Sequence, residues 1–182
     1  MAIFLITGAS GSGKTSIAQM IQKSGAWQEC ISTTTRPMRD GEVEGKTYYY
    51  VDKEQFEAMY ENGEFAEKVE YDGNLYGITK KEIERVMSKG RHVFIIVEYN
   101  GYLQIKEQYP EAIGIFLYMD KEDCMANMLL RGDSLEKATA RINTYDEEIV
   151  NRKYFDYVIK NVRGKMVSTV QIIRGIITQY TP

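Results

Sequence analysis

The stretch GASGSGKTS at residues 8–16 constrains the fold more than any other part of the chain. It fits the pattern G-x-x-x-x-G-K-[ST] through Gly8, Gly13, Lys14 and Thr15. An apolar run at residues 2–7 precedes it, and residues 15–23 follow with Ile17, Met20 and Ile21 on one helical face. The loop must therefore turn a buried strand into a helix. Its glycines let the backbone curl until several N–H groups converge, and the helix N-terminus adds partial positive charge. Gly8, Ala9, Ser10, Gly11, Ser12, Gly13, Lys14, Thr15 and Ser16 together form a cradle for the phosphates of a nucleoside triphosphate. Lys14 is expected to reach the β- and γ-phosphates, and the Thr15 hydroxyl to be a ligand of the accompanying Mg²⁺.

Further apolar runs repeat the strand signal at residues 30–34, 93–97, 112–119 and 157–159. Helical patterns lie between and after them at 80–89, 102–108, 121–130, 136–150 and 166–177, with Gly90 and Pro110 as stops. Buried strands alternating with helices predict an α/β fold, a P-loop NTPase-type parallel sheet flanked by helices on both faces, with right-handed crossovers. Residues 36–79 differ in composition. Aromatic and charged residues alternate there, with a short helical piece at 54–61, so this segment reads as an inserted small mixed β unit. The expected organisation is a core from 1–31, 80–122 and 153–182, a substrate-binding unit at 32–79 and a helical lid at 123–152.

A formal charge of −3 gives no basic field for nucleic acid or an anionic membrane, so any anion site must be built locally. The apolar runs are too short to span a bilayer, and the start of the chain lacks a basic signal-peptide region. A cytoplasmic protein is expected, as a monomer or small homo-oligomer. Cys30 and Cys124 are far apart, and His92 is the one histidine, which argues for buried reduced thiols rather than a zinc site. His92 and Trp27, the latter placed near the end of the first helix, read as structural.

The segment TTTRPMRDGE at 33–42 holds two guanidinium groups beside hydroxyls on a loop that Pro37 keeps from being helical. If the inserted unit covers a second pocket, Arg36 and Arg39 can grip a phosphate monoester through bidentate, charge-assisted bonds. Tyr48 and Tyr76 can add phenolic donors, and Glu67 can serve a base. Guanine offers N1–H and the N2 amine as donors, which one carboxylate accepts together, while Ser or Thr hydroxyls donate to O6. Adenine presents an acceptor at N1, which a carboxylate repels.

Taken together, STTTRPMRDGEVEGKTYYYV closely resembles the nucleotide-monophosphate-binding segment of the guanylate kinase family, S-x-T-T-R-x-x-R-x-G-E-x-x-G-x-x-Y. Ser32, Arg36, Arg39, Gly41, Glu42, Gly45 and Tyr48 fall in place. In EFAEKVEYDGNLYG, Glu67, Gly73, Asn74, Tyr76 and Gly77 do as well, and the resemblance runs on to YFDYVIKN. It implies transfer of a phosphoryl group from ATP to GMP, giving ADP and GDP. It implies GMP held at its phosphate by Arg36, Arg39, Tyr48 and Tyr76, with Glu42 supporting the arginines. Guanine would be read by Glu67 and Ser32 with help from Glu98. A mobile lid would carry Arg131 and Arg141 onto the transferring group beside Lys14 and Arg36, and Asn161 is the candidate for flanking adenine.

The chain departs from the family in three places. After VFIIV the family usually reads D-[IL]-[DE]-x-Q-G, whereas IVEYNG keeps Glu98 but has Ile96 for the first carboxylate and Asn100 for glutamine. With residues 96 and 98 on one strand, both side chains would point to the same face. The hydroxyl that commonly follows Tyr-Gly is here Ile78, with Thr79 next as the candidate in its stead. These departures leave room for a monophosphate kinase with shifted base preference. A non-catalytic interaction module is the third reading, and the intact phosphate loop weighs against it.

Overall fold

The computed structural model describes residues 1–22 and 27–181. In chain order its elements begin with β1 (Ile3–Thr7), α1 (Lys14–Gln22), β2 (Trp27–Glu29), β3 (Thr33–Thr34), β4 (Tyr49–Tyr50) and α2 (Lys53–Glu61). There follow β5 (Phe65–Tyr71), β6 (Asn74–Thr79), α3 (Lys80–Met87), β7 (His92–Ile96), α4 (Tyr99–Gln108) and β8 (Ile113–Tyr118). The last are α5 (Lys121–Leu130), α6 (Leu135–Asn143), α7 (Tyr145–Ile149), a 3₁₀ turn at Val150–Tyr154, β9 (Tyr157–Lys160) and α8 (Met166–Thr178). Lys23, the last residue of the first expected helix, lies outside the described residues.

The main sheet has the order β2-β7-β1-β8-β9, and its pairings are all parallel. All five residues of β1 are buried, as they must be in a central strand covered on both faces. Successive side chains alternate between the faces. Ile3 and Leu5 join Val93, Ile95, Phe116 and the apolar sides of α3 and α4. Phe4 and Ile6 join Phe94, Ile115 and Leu117 under α1 and α8. A second sheet, β4-β3-β6-β5, holds the inserted unit, with β3–β4 parallel and β6 antiparallel to β3 and β5. No helix among the described residues is long and apolar enough to cross a membrane.

Several expected elements end differently. Of the strand expected at 30–34 only Thr33–Thr34 forms, as β3 in the small sheet, while the main-sheet strand β2 has already ended at Glu29. Cys30 N still bonds Phe94 O in the main sheet at 3.1 Å, but Ile31 N turns to the Glu82 carboxylate at 2.8 Å. Thr33 then pairs with Tyr49 and Gly77. Trp27 is accordingly a strand residue, its ring 5.6 Å from both Phe4 and Phe94, and not a helix-end residue. The helix expected at 136–150 is broken at Thr144. Its one hydroxyl proton has two acceptors within reach, Arg141 O (2.9 Å) and the Glu148 carboxylate (2.6 Å), and a local bond to either competes with the helix ladder. The strand at 93–97 stops at Ile96, and Glu98 becomes the N-cap of α4, so the shared-strand argument for residues 96 and 98 does not hold.

His92 is structural as expected. Its Nδ1 accepts from Ala2 N at 3.1 Å, and its ring packs edge-on against Phe4. Both cysteines are buried free thiols. Burial pushes the Cys124 thiol up to about 11, and Cys30 higher still.

Candidate active site

Residues 8–13 leave the C-terminal edge of β1 and curl over the N-terminus of α1 because three glycines adopt positive φ there. A Cβ on Gly8, at φ 148°, would lie 1.9 Å from Leu117 O, and one on Gly11, at φ 82°, 2.3 Å from Cys124 O. Gly11 is outside the sequence pattern, yet β8 and α5 close on the loop so tightly that no side chain fits at either place. Asn127 Nδ2 donates to Gly11 O at 2.9 Å and holds the loop from the α5 side.

Lys14 Nζ donates to the carbonyls of Gly8 and of Ala9, which keeps its ammonium over the loop. Burial lowers its pKa below that of an ordinary lysine, while the charges of Glu148 and Glu98 oppose the shift. Thr15 and Ser16 are exposed on the first turn of α1.

Two clefts border this loop, and a third opens into one of them. The central one, about 430 Å³, is bounded by Gly8, Ser10, Lys14, Ile96, Glu98 and Glu148 among others. An outer one, about 410 Å³, runs along Ser10, Gly11, Gly13, Lys14, Thr15 and Ser16 to Asn127 and Arg131. The third, about 540 Å³, lies between the two sheets and gathers Ser32, Arg36, Arg39, Glu42, Tyr48, Glu67, Tyr76 and Glu98. It shares Ile96, Val97, Glu98 and Asn100 with the central cleft, so the two open into each other at the end of β7.

In the third cleft Arg36 is fixed from several sides. It donates to Glu42 Oε1 at 2.7 Å and to Pro37 O at 2.8 Å, and its guanidinium lies 5.4 Å from the centre of the Tyr48 ring. Glu42 also accepts from Arg39 N (2.8 Å) and Tyr50 Oη (2.8 Å). The Arg36 bond, then the Arg39 N–H, hold its carboxyl down to about 2. Glu42 is thus saturated with donors and organises the arginines, and Arg39 keeps an exposed guanidinium.

Glu67 lines the same cleft, buried on β5. Burial raises its pKa to about 7, the Ile78 N–H lowers it and the nearby charge of Glu98 raises it. A buried carboxylate that meets no cationic partner among the described residues is poised to accept from donors brought by a ligand. Ile78 itself is buried in the core with Ile83 and Val86.

Other expected site residues lie elsewhere. Ala9 and Ser12 are loop residues whose side chains are buried. Asn161 does not line these clefts; it braces the loop from below, Nδ2 donating to Ser12 O at 2.9 Å and Oδ1 accepting from Thr169 at 2.8 Å. Thr79 is the N-cap of α3, its hydroxyl accepting from Glu82 N at 3.2 Å, and it faces none of the clefts. Arg131 lines the outer cleft and Arg141 none of the three. Both arginines share one carboxylate oxygen: Arg131 bonds Asp133 Oδ2, and Arg141 lies 3.7 Å from it. Arg141 also donates to Tyr71 Oη of the inserted unit at 2.9 Å. Asn127, Asp133 and Glu148 were not singled out from sequence, since nothing local distinguishes an amide or acid that will meet the loop across the fold.

Residues 1–179 match the family model described as guanylate kinase. A guanylate kinase from Thermus thermophilus is 40% identical over 161 residues, 87% of this chain and 73% of the relative. One from Lactococcus lactis is 35% identical over 169 residues, 91% of this chain and 82% of the relative. Among solved structures, guanylate kinase from Anaplasma phagocytophilum superposes with a TM-score of 0.74 at 27% identity, over 99% of this chain and 86% of that one.

Proposed function

The chain belongs to the guanylate kinase family and transfers the γ-phosphoryl group of ATP to GMP, giving ADP and GDP, and from that premise we propose how its clefts divide the work. ATP lies with its phosphates on residues 8–16 and GMP lies in the cleft between the sheets. The observation that carries this division is the lining of the third cleft, which holds Arg36 and Arg39 together with the buried Glu67. That arrangement matches a molecule with an anionic phosphate and a donor-rich base.

Arg36, Arg39, Tyr48 and Tyr76 hold the GMP phosphate. Glu67 accepts from N1–H and the N2 amine, with Ser32 and Glu98 beside it. GMP is thereby aimed along the shared wall at Lys14, which sits over the β- and γ-phosphates. A GMP phosphate oxygen forms the new bond to the γ-phosphorus as the bond to the β,γ-bridging oxygen breaks, and that electron pair leaves with ADP. The attacking phosphate is already ionised at neutral pH, so positioning and charge neutralisation carry the catalysis. Arg131 and Arg141 neutralise the transferring group once they leave Asp133. The exposed Thr15 hydroxyl next to Lys14 is a hard oxygen donor of the kind that suits Mg²⁺. Thr15 would hold that ion, which neutralises charge on the β- and γ-phosphates.

Steady-state rates with GMP, dGMP, IMP, AMP and UMP test the base reading. GMP is expected to exceed AMP and UMP in kcat/KM by at least about 10³-fold, because a buried carboxylate left facing an acceptor is costly. Equal rates with AMP would overturn it.

Ile96 bears on rate rather than on base choice. It is half-buried on the wall shared by the two clefts and packs in part against the core under α1. An aspartate there would add a carboxylate beside the phosphates. Ile96→Asp is expected to raise kcat about tenfold, the scale of outer-shell effects at metal sites, while lowering Tm through lost packing. An unchanged kcat at saturating ATP and GMP would refute this account of position 96.

A further inference from the structure

Glu67 lies on β5, an edge strand of the small sheet whose outer side has no neighbouring strand. An edge strand presents unpaired peptide groups, which native proteins pair or cover. Here α4 covers them with side-chain amides. Gln104 Oε1 accepts from Lys68 N at 2.9 Å, and Gln104 Nε2 donates to Lys68 O at 3.1 Å. A primary amide carries the same donor and acceptor as a peptide unit, so Gln104 pairs with Lys68 as one more strand residue would. Gln108 Nε2 donates to Ala66 O at 2.7 Å. The residues on both sides of Glu67 are therefore tied to one helix.

The same helix forms the opposite wall of the base end. It starts at its N-cap Glu98, which lines the cleft. One turn on, a Cβ on Gly101 would lie 3.2 Å from Glu67 Oε2. The helix backbone thus approaches the carboxylate so closely that a small shift of β5 along α4 would change both the position of Glu67 and its distance from Glu98.

We infer that Gln104 is a positioning residue for base selection: its amide locks the register of β5 against α4 and so sets the place of Glu67 relative to Glu98 and Gly101. The inference rests on reading Glu67 as the base-recognising group. Gln104 touches no substrate and acts only through the strand it holds.

The test is Gln104→Met, close in size but unable to pair with Lys68. Steady-state KM for GMP is expected to rise about tenfold, the loss of one to two net hydrogen bonds, with KM for ATP within twofold of wild type. The preference for GMP over IMP, which lacks the N2 amine, is expected to narrow by a similar factor. A merely structural role would lower Tm without moving the GMP/IMP ratio. Gln104→Glu keeps an acceptor for Lys68 N but loses the donor to Lys68 O, and is expected to fall between wild type and Gln104→Met; it carries the test if the methionine variant does not fold. Glu67→Gln is run beside both. If Glu67→Gln leaves KM for GMP unchanged, the base reading itself fails. If Glu67→Gln raises it while Gln104→Met and Gln104→Glu do not, only the positioning role fails. In the Glu67→Gln background, adding Gln104→Met is expected to change KM for GMP by less than twofold, and a full tenfold rise there would overturn the inference.

Discussion

Lys14→Met is expected to lower kcat about 10³-fold and to leave Tm within about 3 °C of wild type or above it. The rate effect follows from removing a preorganised donor aimed at charge that develops during transfer, where losses of 10²- to 10³-fold are typical. The stability effect follows from the environment of the ammonium. Burial lowers its pKa, so the folded protein disfavours the charged form relative to the unfolded chain. That penalty is present in full at pH values below the folded pKa. It fades only as the pH rises through the folded pKa and ceases to change above about 10.5, the unfolded value. Methionine keeps most of the aliphatic stem and removes the charge, though it forfeits the bonds to the Gly8 and Ala9 carbonyls. Thermal scans and a coupled ADP-release assay on the same preparation give both numbers. A variant that retains turnover would remove Lys14 from the mechanism, and one that loses stability outright would mean that the ammonium holds the loop together.

The phosphate loop was legible in the sequence for a local reason. Its glycines, lysine and hydroxyls are local, and their spacing carries the geometry with it. The same holds for β1, β7 and β8, whose side chains are buried on both faces and so leave uninterrupted apolar runs. Where structure depends on partners distant in sequence, the signal fails. Residues 30–34 have strand-like composition, but the Glu82 carboxylate draws off the Ile31 N–H, and the chain changes sheets there. At Thr144 a hydroxyl with two local partners outweighs helical periodicity. Asn161 and Thr79 are polar residues at plausible places, and the fold uses their polar atoms to brace the loop and to cap α3. Gln104 and Gln108 look in sequence like a solvated helix face, because nothing local reveals that an edge strand will lie against them.

Glu67→Gln is expected to lower kcat/KM for GMP about 10³-fold at pH 8, since two charge-assisted bonds to the base are lost or inverted. The pH dependence separates this role from a structural one. Glu67 in the free protein has its pKa raised to about 7 by burial, with Glu98 adding to the rise and the Ile78 N–H opposing it. The neutral acid can accept from only one of the two guanine donors, so GMP binding is expected to weaken as pH falls through about 7. Arg36 stays charged throughout this range, since its bond to Glu42 raises its pKa further. The GMP phosphate takes up a proton near pH 6, as phosphate monoesters do, but that step is common to wild type and Glu67→Gln, so the difference between their profiles isolates the carboxyl. Stability runs the other way. A raised carboxyl pKa costs nothing below the unfolded value of 4.5, where both states are protonated. The cost grows as pH rises from 4.5 to about 7 and is constant above that, reaching on the order of 3 kcal/mol. Without GMP, wild type is therefore expected to lose stability relative to Glu67→Gln across that window, and saturating GMP to restore it by binding the ionised form. Parallel stability curves for the two proteins from pH 4.5 to 8, or coincident profiles of kcat/KM, would show that the carboxyl at 67 is neither strained by its burial nor reading the base.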